Sequence, residues 1–307
     1  MTSHLTRRAT EDDFDGVMGI GDVYFGLDYL RHVYFTIMDD PNARCYVYVI
    51  GEEIVGFTSI ILLDDGITFF VRASRIKSGF RGKGLYGKLL HYACEDHKNI
   101  ESIKYEAMVT HGVTYESKKL HLQSTHTQLV QKSVLNYHLK MERLKVPQQP
   151  LDTILETFSS AEITSLFDDK NTCEGLFPGG RVIIDWVPVR LLASNMRYIL
   201  TSGVKPLASR NNTSRVSLLT IGTPVPCQLG LRYCLDVFGT DCTLLREHVL
   251  SHIEYIKTVT DKNTVIVLMV VVNPLLANVL DKLLSNMDIP TYDFNPKSIT
   301  VFEDSFK

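Results

Sequence analysis

The chain of 307 residues is long enough for one large domain or two medium ones, and its composition, 45% hydrophobic and 22% charged, is typical of folded proteins. A formal net charge of −3 gives no electrostatic reason to expect nucleic acid or an anionic membrane as a partner. The longest apolar run, residues 264–272, is far too short for a membrane span.

The N-terminal stretch and the cysteines indicate a cytoplasmic protein. Residues 1–14 contain no apolar segment of the kind that a signal peptide requires. The six cysteines are scattered, with no Cys-x-x-Cys pair and no histidines at metal-ligand spacing. We therefore expect reduced thiols, a cytoplasmic location and no metal site.

The first half of the chain alternates between the periodicities of strands and helices. In chain order, we predict a strand at 5–9, a helix from Thr10 to about Gly21, strands at 44–50, 54–63 and 67–76, a helix at 85–98, a strand at 102–110, a short helix at 115–123 and one or two strands within 125–141. Residues 23–38 carry a dense set of aromatic side chains, which includes Tyr24 and Tyr29.

A basic, glycine-rich turn between the third of these strands and the helix that follows is the most informative feature. Arg81, Gly82, Lys83 and Gly84 precede the apolar face of the helix. Glycines let the backbone turn tightly, and a helix N-terminus beside cationic side chains suits a phosphate or pyrophosphate. The spacing is neither that of a P-loop nor that of the dinucleotide fingerprint. The alternative is an ordinary surface turn with solvated charges.

The second half keeps the mixed α/β character. In chain order, we predict a helix at 153–167, a loop at 176–180, a strand at 181–187, a helix at 194–202, strands at 216–220 and 232–237, a helix at 243–256, a strand at 264–272, a helix at 274–285 and a strand at 298–303. This half contains no second Arg-x-x-Gly turn. Because residues 147–150 have the Pro-rich composition of a linker, we expect one domain over residues 1–146 and another over 151–307.

The spacing Arg81-x-x-Gly84, set between a strand and a helix, resembles the pyrophosphate loop of the GNAT superfamily of acyl-CoA-dependent N-acyltransferases. The order of elements in the first half is also that of a GNAT domain. Within this superfamily, the strings at residues 24–30, 177–190, 194–197 and 232–241 resemble the histidine N-acetyltransferases and their relatives. The resemblance covers nearly the whole chain, and the strings in the second half are more diagnostic than the loop.

The resemblance implies an α/β fold with a mixed sheet, in which a GNAT lobe is followed by a GNAT-like lobe that lacks its own cofactor loop. It also implies an enzyme that uses acetyl-CoA as co-substrate and transfers the acetyl group to the α-amine of a free amino acid, first of all L-histidine, by direct attack. The ligand crevice of such a lobe lies where the fourth and fifth strands separate.

The cofactor contacts that the resemblance implies lie in one continuous stretch. The pyrophosphate of the cofactor would bind the backbone N–H groups of Arg81, Gly82, Lys83, Gly84, Leu85 and Tyr86. Its pantetheine arm would run along Ser74, Arg75 and Ile76. A backbone N–H of that strand would polarise the thioester oxygen.

Acetyl transfer to an amine also needs groups that accept and donate protons. Glu106, on the predicted fifth strand, and Asp28 are candidate bases, while Tyr115 and His121 are candidate acids. Each has a structural alternative. Glu106 would otherwise be a solvated strand residue and Asp28 a turn cap, and a histidine on a short helix is more often on the surface or in the core.

Four residues are candidates for binding the acceptor: Tyr24, Asp28, Tyr29 and Arg72. An amino-acid acceptor carries a carboxylate, and Arg72 is placed to bind it if the side chain points into the crevice, which strand alternation leaves open. The alternative for the two tyrosines is ordinary core packing.

Two departures from the family pattern bear on the acceptor. Relatives carry a glutamate just inside the fourth strand, where this chain has Arg72, and a tyrosine on the helix after the fifth strand, where it has Leu120 and His121. Two other functions therefore stay open: transfer to a polyamine or an aromatic amine, and a catalytically weakened acyl-CoA-binding module. An amino-acid substrate needs a cationic anchor, whereas a polyamine needs an acidic wall. The sequence leaves the oligomeric state open.

Overall fold

The computed structural model describes residues 3–22, 24–111, 120, 122–140, 142, 155–261, 263–294 and 297–306. The chain divides into two compact units, the first with residues 1–108 and 304–307 and the second with residues 109–303. The predicted linker at 147–150 lies outside the described residues, so the expected boundary after residue 146 stays a prediction.

The first unit is a mixed sheet with flanking helices, as the sequence predicts. Within its described residues the elements are, in chain order, β1 (His4–Arg8), α1 (Phe14–Met18), α2 (Leu30–Asp39), β2 (Ala43–Ile50), β3 (Glu53–Leu63), β4 (Thr68–Ile76), α3 (Leu85–His97) and the start of β5 (Tyr105–His111). The strand order is β1-β2-β3-β4-β5, and only the β4–β5 pair among these is parallel.

The first helix is shorter than expected. A 3₁₀ turn at Glu11–Asp13 precedes α1, and the N–H and hydroxyl groups of Thr10 donate to the Asp13 carboxylate at 2.8 and 3.2 Å. α1 then ends at Met18, short of Gly21, because Gly19, a poor helix former, occupies its C-cap.

α3 is attached to the sheet by an apolar face and by one carboxylate. Leu85 and Leu89 are buried in the core of the first unit. Near the other end of α3, Asp96 accepts hydrogen bonds from Arg8 at 2.9 and 3.0 Å and from Tyr46 at 2.6 Å. Although burial opposes ionisation, these bonds lower the pKa of Asp96 to about 2. The helix that follows the glycine-rich turn is therefore held at both ends.

The second unit is also a mixed sheet with helices. Within its described residues the elements are, in chain order, β6 (Thr127–Leu139), β7 (Glu156–Thr157), α4 (Ser160–Leu166), α5 (Lys170–Leu176), β8 (Arg181–Ile184), β9 (Val187–Arg190), α6 (Met196–Ile199), β10 (Lys205–Arg210), β11 (Val216–Cys227), β12 (Gly230–Gly239), α7 (Leu245–Val259), β13 (Val265–Val272), α8 (Pro274–Asn286) and most of β14 (Ser298–Ser305). The strand order is β14-β6-β13-β12-β11-β10-β7, and β8 and β9 form a separate hairpin. No helix in the described part of the chain is long and apolar enough to cross a membrane.

The helix predicted at 153–167 begins only at Ser160. The side chain of Ser159 accepts from the N–H of Glu162 at 3.3 Å, and the Glu162 carboxylate accepts from the N–H of Ser159 at 2.6 Å. This reciprocal cap satisfies two backbone N–H groups that have no partner within the helix, so it sets the helix start. The preceding residues, Glu156–Thr157, pair with β10 instead.

The strand predicted at 181–187 is a hairpin, and β10 was not expected at all. β8 and β9 are joined by a tight turn at Asp185 and Trp186, which take positive φ angles of 44° and 70°. Aspartate tolerates a positive φ but tryptophan does not favour it, so this pair lacks the Asp-Gly pattern that would signal such a turn. Strand β10 contains Pro206, and a proline normally argues against a strand assignment.

Two histidines one turn apart on α7 are buried in a hydrogen-bonded network. His248 contacts Thr220 at 2.7 Å and Ser209 at 3.1 Å, and His252 contacts Thr220 at 2.9 Å and Tyr233 at 2.8 Å. Burial lowers the pKa of His248 to about 4 and that of His252 well below the ordinary value. Both imidazoles are therefore neutral in the folded protein near neutral pH.

Acidification should destabilise the second unit because these histidines cannot take up protons while it is folded. Below the ordinary histidine pKa of about 6.5, the unfolded chain binds protons that the folded chain does not, so the free energy of unfolding should fall by about 1.4 kcal/mol per pH unit for each histidine. Urea unfolding followed by circular dichroism between about pH 7 and pH 5 measures this slope. His252→Gln should reduce it, whereas His91→Gln, at an exposed position of α3, should not. An equal slope in His252→Gln and in the unmodified protein would contradict the assignment.

Candidate functional site

β4 and β5 separate partway along their length, where the resemblance predicts the ligand crevice. They pair in parallel at three positions, with residues 68–70 beside residues 105–107. β4 continues to Ile76 and β5 to His111 without further pairing to each other in the described part of the chain. The β4 edge at residues 71–76 can therefore pair with an extended ligand.

A one-residue bulge in β4 determines which of its side chains share a face. Arg72 pairs with Ser59 on β3, and the next registered pair joins Arg75 to Phe57. β4 thus has one extra residue between these pairs, and Ala73 takes a positive φ of 57°. In a regular strand, residues three apart point to opposite faces. Because of the bulge, the two arginines point to the same face, here named the α2 face.

Arg75 is a buried anchor on the α2 face. Its side chain is 2% exposed, and its Nη1 donates to the Asp28 carboxylate at 2.5 Å. Its Nε donates to the carbonyl oxygen of Ala73, within the bulge, at 3.2 Å. Asp28 also accepts from the N–H of Leu30 at 3.0 Å, at the start of α2. Asp28, a candidate base, is therefore also a turn cap and an ion-pair partner.

The residues expected to bind the acceptor lie together on the α2 face. The guanidinium of Arg72 lies over the ring of Tyr29, 5.4 Å from its centroid. The rings of Tyr24 and Tyr29 are stacked, with centroids 6.3 Å apart. Asp28 is adjacent to Tyr29 in the chain and is tied to Arg75 on the same face. The arrangement combines a cation with two aromatic rings.

Glu106 lies on the opposite face of the sheet, here named the α3 face. It pairs in register with Phe69, which is buried in the core beneath α3, so both side chains point towards α3. Its negative charge reaches two residues of that helix: together with burial, it raises the pKa of Cys94 to about 11 and that of Tyr86 above the ordinary value. Glu106 is thus across the sheet from Arg72.

The glycine-rich turn has an open backbone surface that faces solvent. Gly82 and Gly84 take positive φ angles of 77° and 72°, and a Cβ added to either would meet no atom within 4 Å. Gly84 is the N-cap of α3 and has no side chain to accept from the first-turn N–H groups. Arg81 is braced by its Nε, which donates to the carbonyl of Ile76 at 2.9 Å. This geometry suits an anion on the backbone.

The candidate acids Tyr115 and His121 lie outside the described residues, so their roles stay predictions. Leu120, between them in the chain, is described and is 85% exposed. Of the cofactor contacts, Leu85 is buried in the core beneath α3, so only its backbone can contact a ligand. Ser74 and Ile76 lie on the α3 face of β4, opposite Arg75.

The side chains of Thr58 and Tyr86 were not expected at this site. The hydroxyl groups of Thr58 and Ser74 are 2.7 Å apart, and the Tyr86 hydroxyl is hydrogen-bonded to the side chain of Ser74. Only the backbone of Tyr86 was assigned from the sequence. The sequence around Tyr86 gives no sign of a contact with β4, because that contact depends on how α3 packs on the sheet.

The second unit contains a related strand pair without such an opening. β12 and β13 are parallel and pair at seven consecutive positions, residues 230–236 with residues 265–271. The segment that joins β12 to α7 has no Arg-x-x-Gly turn, and Asp241 lies there, where its carboxylate accepts from the N–H of Thr243 at 2.9 Å. An acidic side chain and a closed strand pair do not suit a pyrophosphate.

Two family profiles match the chain. The profile described as the Acetyltransferase (GNAT) family matches residues 14–120, and the profile described as Histidine N-acetyltransferase, C-terminal, matches residues 151–271. The first match includes β4, the glycine-rich turn and α3. The second includes the β8–β9 hairpin and β12.

Curated relatives match most of the chain. The protein named Histidine N-acetyltransferase from Oreochromis niloticus is 28% identical over 265 residues, which are 80% of this chain and 77% of that protein. Probable N-acetyltransferase 16 of Homo sapiens is 26% identical over 264 residues, which are 80% of this chain and 71% of that protein. The resemblance inferred from residue strings in both halves is therefore confirmed.

Solved structures with a similar fold also match the full length. A tandem GNAT protein from the clavulanic acid biosynthesis pathway has a TM-score of 0.60 at 11% identity and covers 100% of this chain and 99% of its own. The GCN5-related N-acetyltransferase from Sphaerobacter thermophilus has a TM-score of 0.58 at 10% identity and covers 99% and 96%. At these identities the likeness shows the fold alone, and it confirms the predicted two-lobe α/β fold.

Replacement of Arg75 tests whether this ion pair holds the α2 face together. Arg75→Met leaves the Asp28 carboxylate without its buried cation, and we expect the free energy of unfolding to fall by about 3 kcal/mol. Lys77→Met, which breaks an exposed pair with Glu53 (35% and 48% exposed), should cost less than about 1 kcal/mol. Urea denaturation of both variants measures the difference. Equal losses would show that Arg75 is not an anchor.

Proposed function

This chain belongs to the GNAT family of N-acetyltransferases and is an acyltransferase, and we propose that it transfers the acetyl group of acetyl-CoA to the α-amine of a free amino acid, first of all L-histidine. The observation that carries the proposal is the open glycine turn, which follows the edge of β4 that separates from β5. The α2 face of the same strand carries the guanidinium of Arg72. We also propose a cytoplasmic location, where its six cysteines, which are unpaired in the structure, would stay reduced.

The residues of the first unit fit acetyl-CoA. The backbone of Arg81–Tyr86 would hold the pyrophosphate, since an added Cβ at Gly82 or Gly84 would project into open space beside the α3 N-terminus. Ser74 and its neighbours on the β4 edge would hold the pantetheine arm by strand-like pairing. When bound, the co-substrate supplies the activated acetyl group as a thioester. A backbone N–H near the bulge would stabilise negative charge that develops on the thioester oxygen.

The α2 face would bind the amino acid. Arg72 carries a charge that matches a carboxylate, and a guanidinium pairs with a carboxylate through two parallel hydrogen bonds. Tyr24 and Tyr29 supply aromatic surface on which an imidazole ring can pack. Asp28, a carboxylate on this face, is already paired with Arg75. This charge pattern favours an amino acid over a polyamine, which would need unpaired acids.

Protons would move on the α3 side of the crevice. Direct attack needs a neutral amine, and a base must remove a proton from the nitrogen as the new bond forms. We infer that Glu106 takes this role through the opening between the strands, because it lies one residue before the end of the β4–β5 pairing. Tyr115 and His121 remain proposed as acids.

Incubation of the pure protein with acetyl-CoA and single amino acids, with the released thiol followed by colorimetry, tests the function. We expect release with histidine and little with polyamines. Preference for a polyamine or an aromatic amine would change the acceptor class. Tight acetyl-CoA binding without release against any amine would instead indicate a binding module.

Gly84→Asp tests the cofactor assignment. The new carboxylate would lie against the pyrophosphate, and we expect acetyl-CoA affinity to fall on the order of 100-fold, because like charges this close near a protein surface repel by several kcal/mol. Gly66→Asp is the control: Gly66 also has a positive φ (84°) but lies in the turn before β4, at the other end of that strand. Isothermal titration calorimetry compares the two variants. Unchanged affinity in Gly84→Asp would remove the assignment.

The carboxylate anchor predicts that the enzyme accepts histidine and rejects histamine, which lacks only the carboxylate. Loss of a charge-assisted hydrogen bond costs about 2–4 kcal/mol, or roughly 30- to 1000-fold in kcat/KM. Arg72→Gln should lower kcat/KM for histidine by a similar factor and leave that for histamine unchanged. Arg31→Gln, at an exposed position of α2, is the control. Comparable kcat/KM values for both substrates in the unmodified enzyme would refute the anchor.

A further inference from the structure

A tight turn before α2 holds an aromatic residue in a strained backbone conformation. The N–H of Leu27 donates to the carbonyl oxygen of Tyr24 at 3.1 Å, and the two residues between them, Phe25 and Gly26, take positive φ angles of 54° and 88°. Positive φ at both central positions defines a type I′ turn, whose first central position favours glycine, asparagine or aspartate. A residue as bulky as phenylalanine is a steric outlier there.

Carboxylates on both sides of the turn impose this conformation. The Asp22 carboxylate accepts from the N–H groups of the residues before and after Phe25, at 2.8 Å from that of Tyr24. Asp28 follows the turn and is fixed by the buried guanidinium of Arg75. The strained backbone is therefore a fixed part of the loop between α1 and α2.

The side chain of Phe25 is also in an unfavourable place. It is 79% exposed, whereas Leu27, at the end of the same turn, is fully buried. A solvated phenylalanine forgoes the free energy that burial of its ring would give. In the free protein the residue thus has a strained backbone and an unburied ring, and the ring adds little to the packing of the fold. Backbone outliers of this kind cluster at sites that clamp ligands.

Phe25 stands beside the ring pair of the α2 face. Its neighbour Tyr24 stacks on Tyr29, and the ring of Tyr29 lies under the guanidinium of Arg72. Consecutive Cα atoms are about 3.8 Å apart, so the Phe25 side chain starts one residue away from this group. The segment therefore offers two stacked rings, a cation above them and a third ring that is still exposed.

We propose that Phe25 closes over the side chain of the bound amino acid and makes the enzyme select acceptors with a planar ring. The inference rests on the proposed function and deepens it, because it names the substrate class: amino acids whose side chain is an imidazole or another flat ring. Two ring faces stack on each other with a defined geometry that an aliphatic side chain lacks. Binding of such a ring would bury Phe25 and offset the strain of its backbone.

The preference for histidine over alanine measures this contact. Phe25→Gly removes the ring, and we expect KM for histidine to rise roughly 10-fold with kcat little changed, because Phe25 would contact the side chain and not the reacting atoms. Alanine has no ring, so its kcat/KM should stay the same. Phe25→Tyr should keep the preference. An unchanged preference in Phe25→Gly, or a full preference in Phe25→Leu, which keeps apolar bulk without a ring, would overturn the proposal.

Urea unfolding distinguishes a ligand contact from a role in folding. Glycine adopts a positive φ without strain, so Phe25→Gly should leave the urea midpoint equal or higher. Asp65→Gly is the matched control, because Asp65 is exposed, has a positive φ of 59° and lies in the turn before β4. It should behave alike in urea and keep the histidine preference. A midpoint that falls in Phe25→Gly and not in Asp65→Gly would assign Phe25 a packing role and refute the inference.

Binding measurements keep the inference distinct from the proposed function. If no amine releases thiol but histidine binds more tightly than alanine in the presence of coenzyme A, the acetyltransferase proposal fails. Calorimetry of Phe25→Gly then decides the inference, which requires the affinity for histidine alone to fall. If the unmodified enzyme is active and Phe25→Gly matches its histidine preference, only the inference fails. If neither amino acid binds or reacts, both fail.

Discussion

The buried guanidinium of Arg75 joins the two irregular features that form the acceptor side of the site. One of its nitrogens holds the bulge in β4 through the Ala73 carbonyl, and another holds the segment before α2 through Asp28. The bulge directs Arg72 towards the α2 face, and the segment places Tyr29 beneath it. A buried ion pair contributes little net stability relative to apolar packing, but here its hydrogen bonds tie the strand to the loop.

Local patterns in the sequence account for most of the predicted fold. The glycine turn, the strands of the first unit and the apolar face of α3 depend on neighbours within a few residues, and they were predicted correctly. The face to which Arg72 points could not be predicted, because it depends on the register between β3 and β4 and on one extra residue. The approach of Tyr86 to Glu106 depends on the packing of a helix over a parallel strand pair. Such non-local geometry leaves no periodic signal in the sequence.

The two units use similar strand pairs in different ways. In the first, the β4–β5 pair ends after three positions and leaves a backbone edge for a ligand. In the second, the β12–β13 pair continues for seven positions, and the adjacent helix carries a buried histidine pair whose hydrogen bonds are all made within the protein. The histidine pair of the second unit therefore has its ring nitrogens satisfied within the protein, whereas the first unit leaves part of its strand edge and the first turn of α3 to be satisfied from outside.

The bulge at Ala73 makes the length of β4 a functional property. Substitutions along this strand change one side chain at a time, because the register with β3 stays the same. Deletion of one residue in the bulge would leave Arg72 and Arg75 two apart in a regular strand, so both would still point to the α2 face. One residue deleted from the regular part of the strand, with the bulge kept, would instead turn the side chains beyond the deletion to the opposite face. For the residues beyond such a deletion, the acceptor and cofactor sides would be exchanged. Insertions and deletions, more than replacements, are thus the sequence changes that this strand cannot absorb.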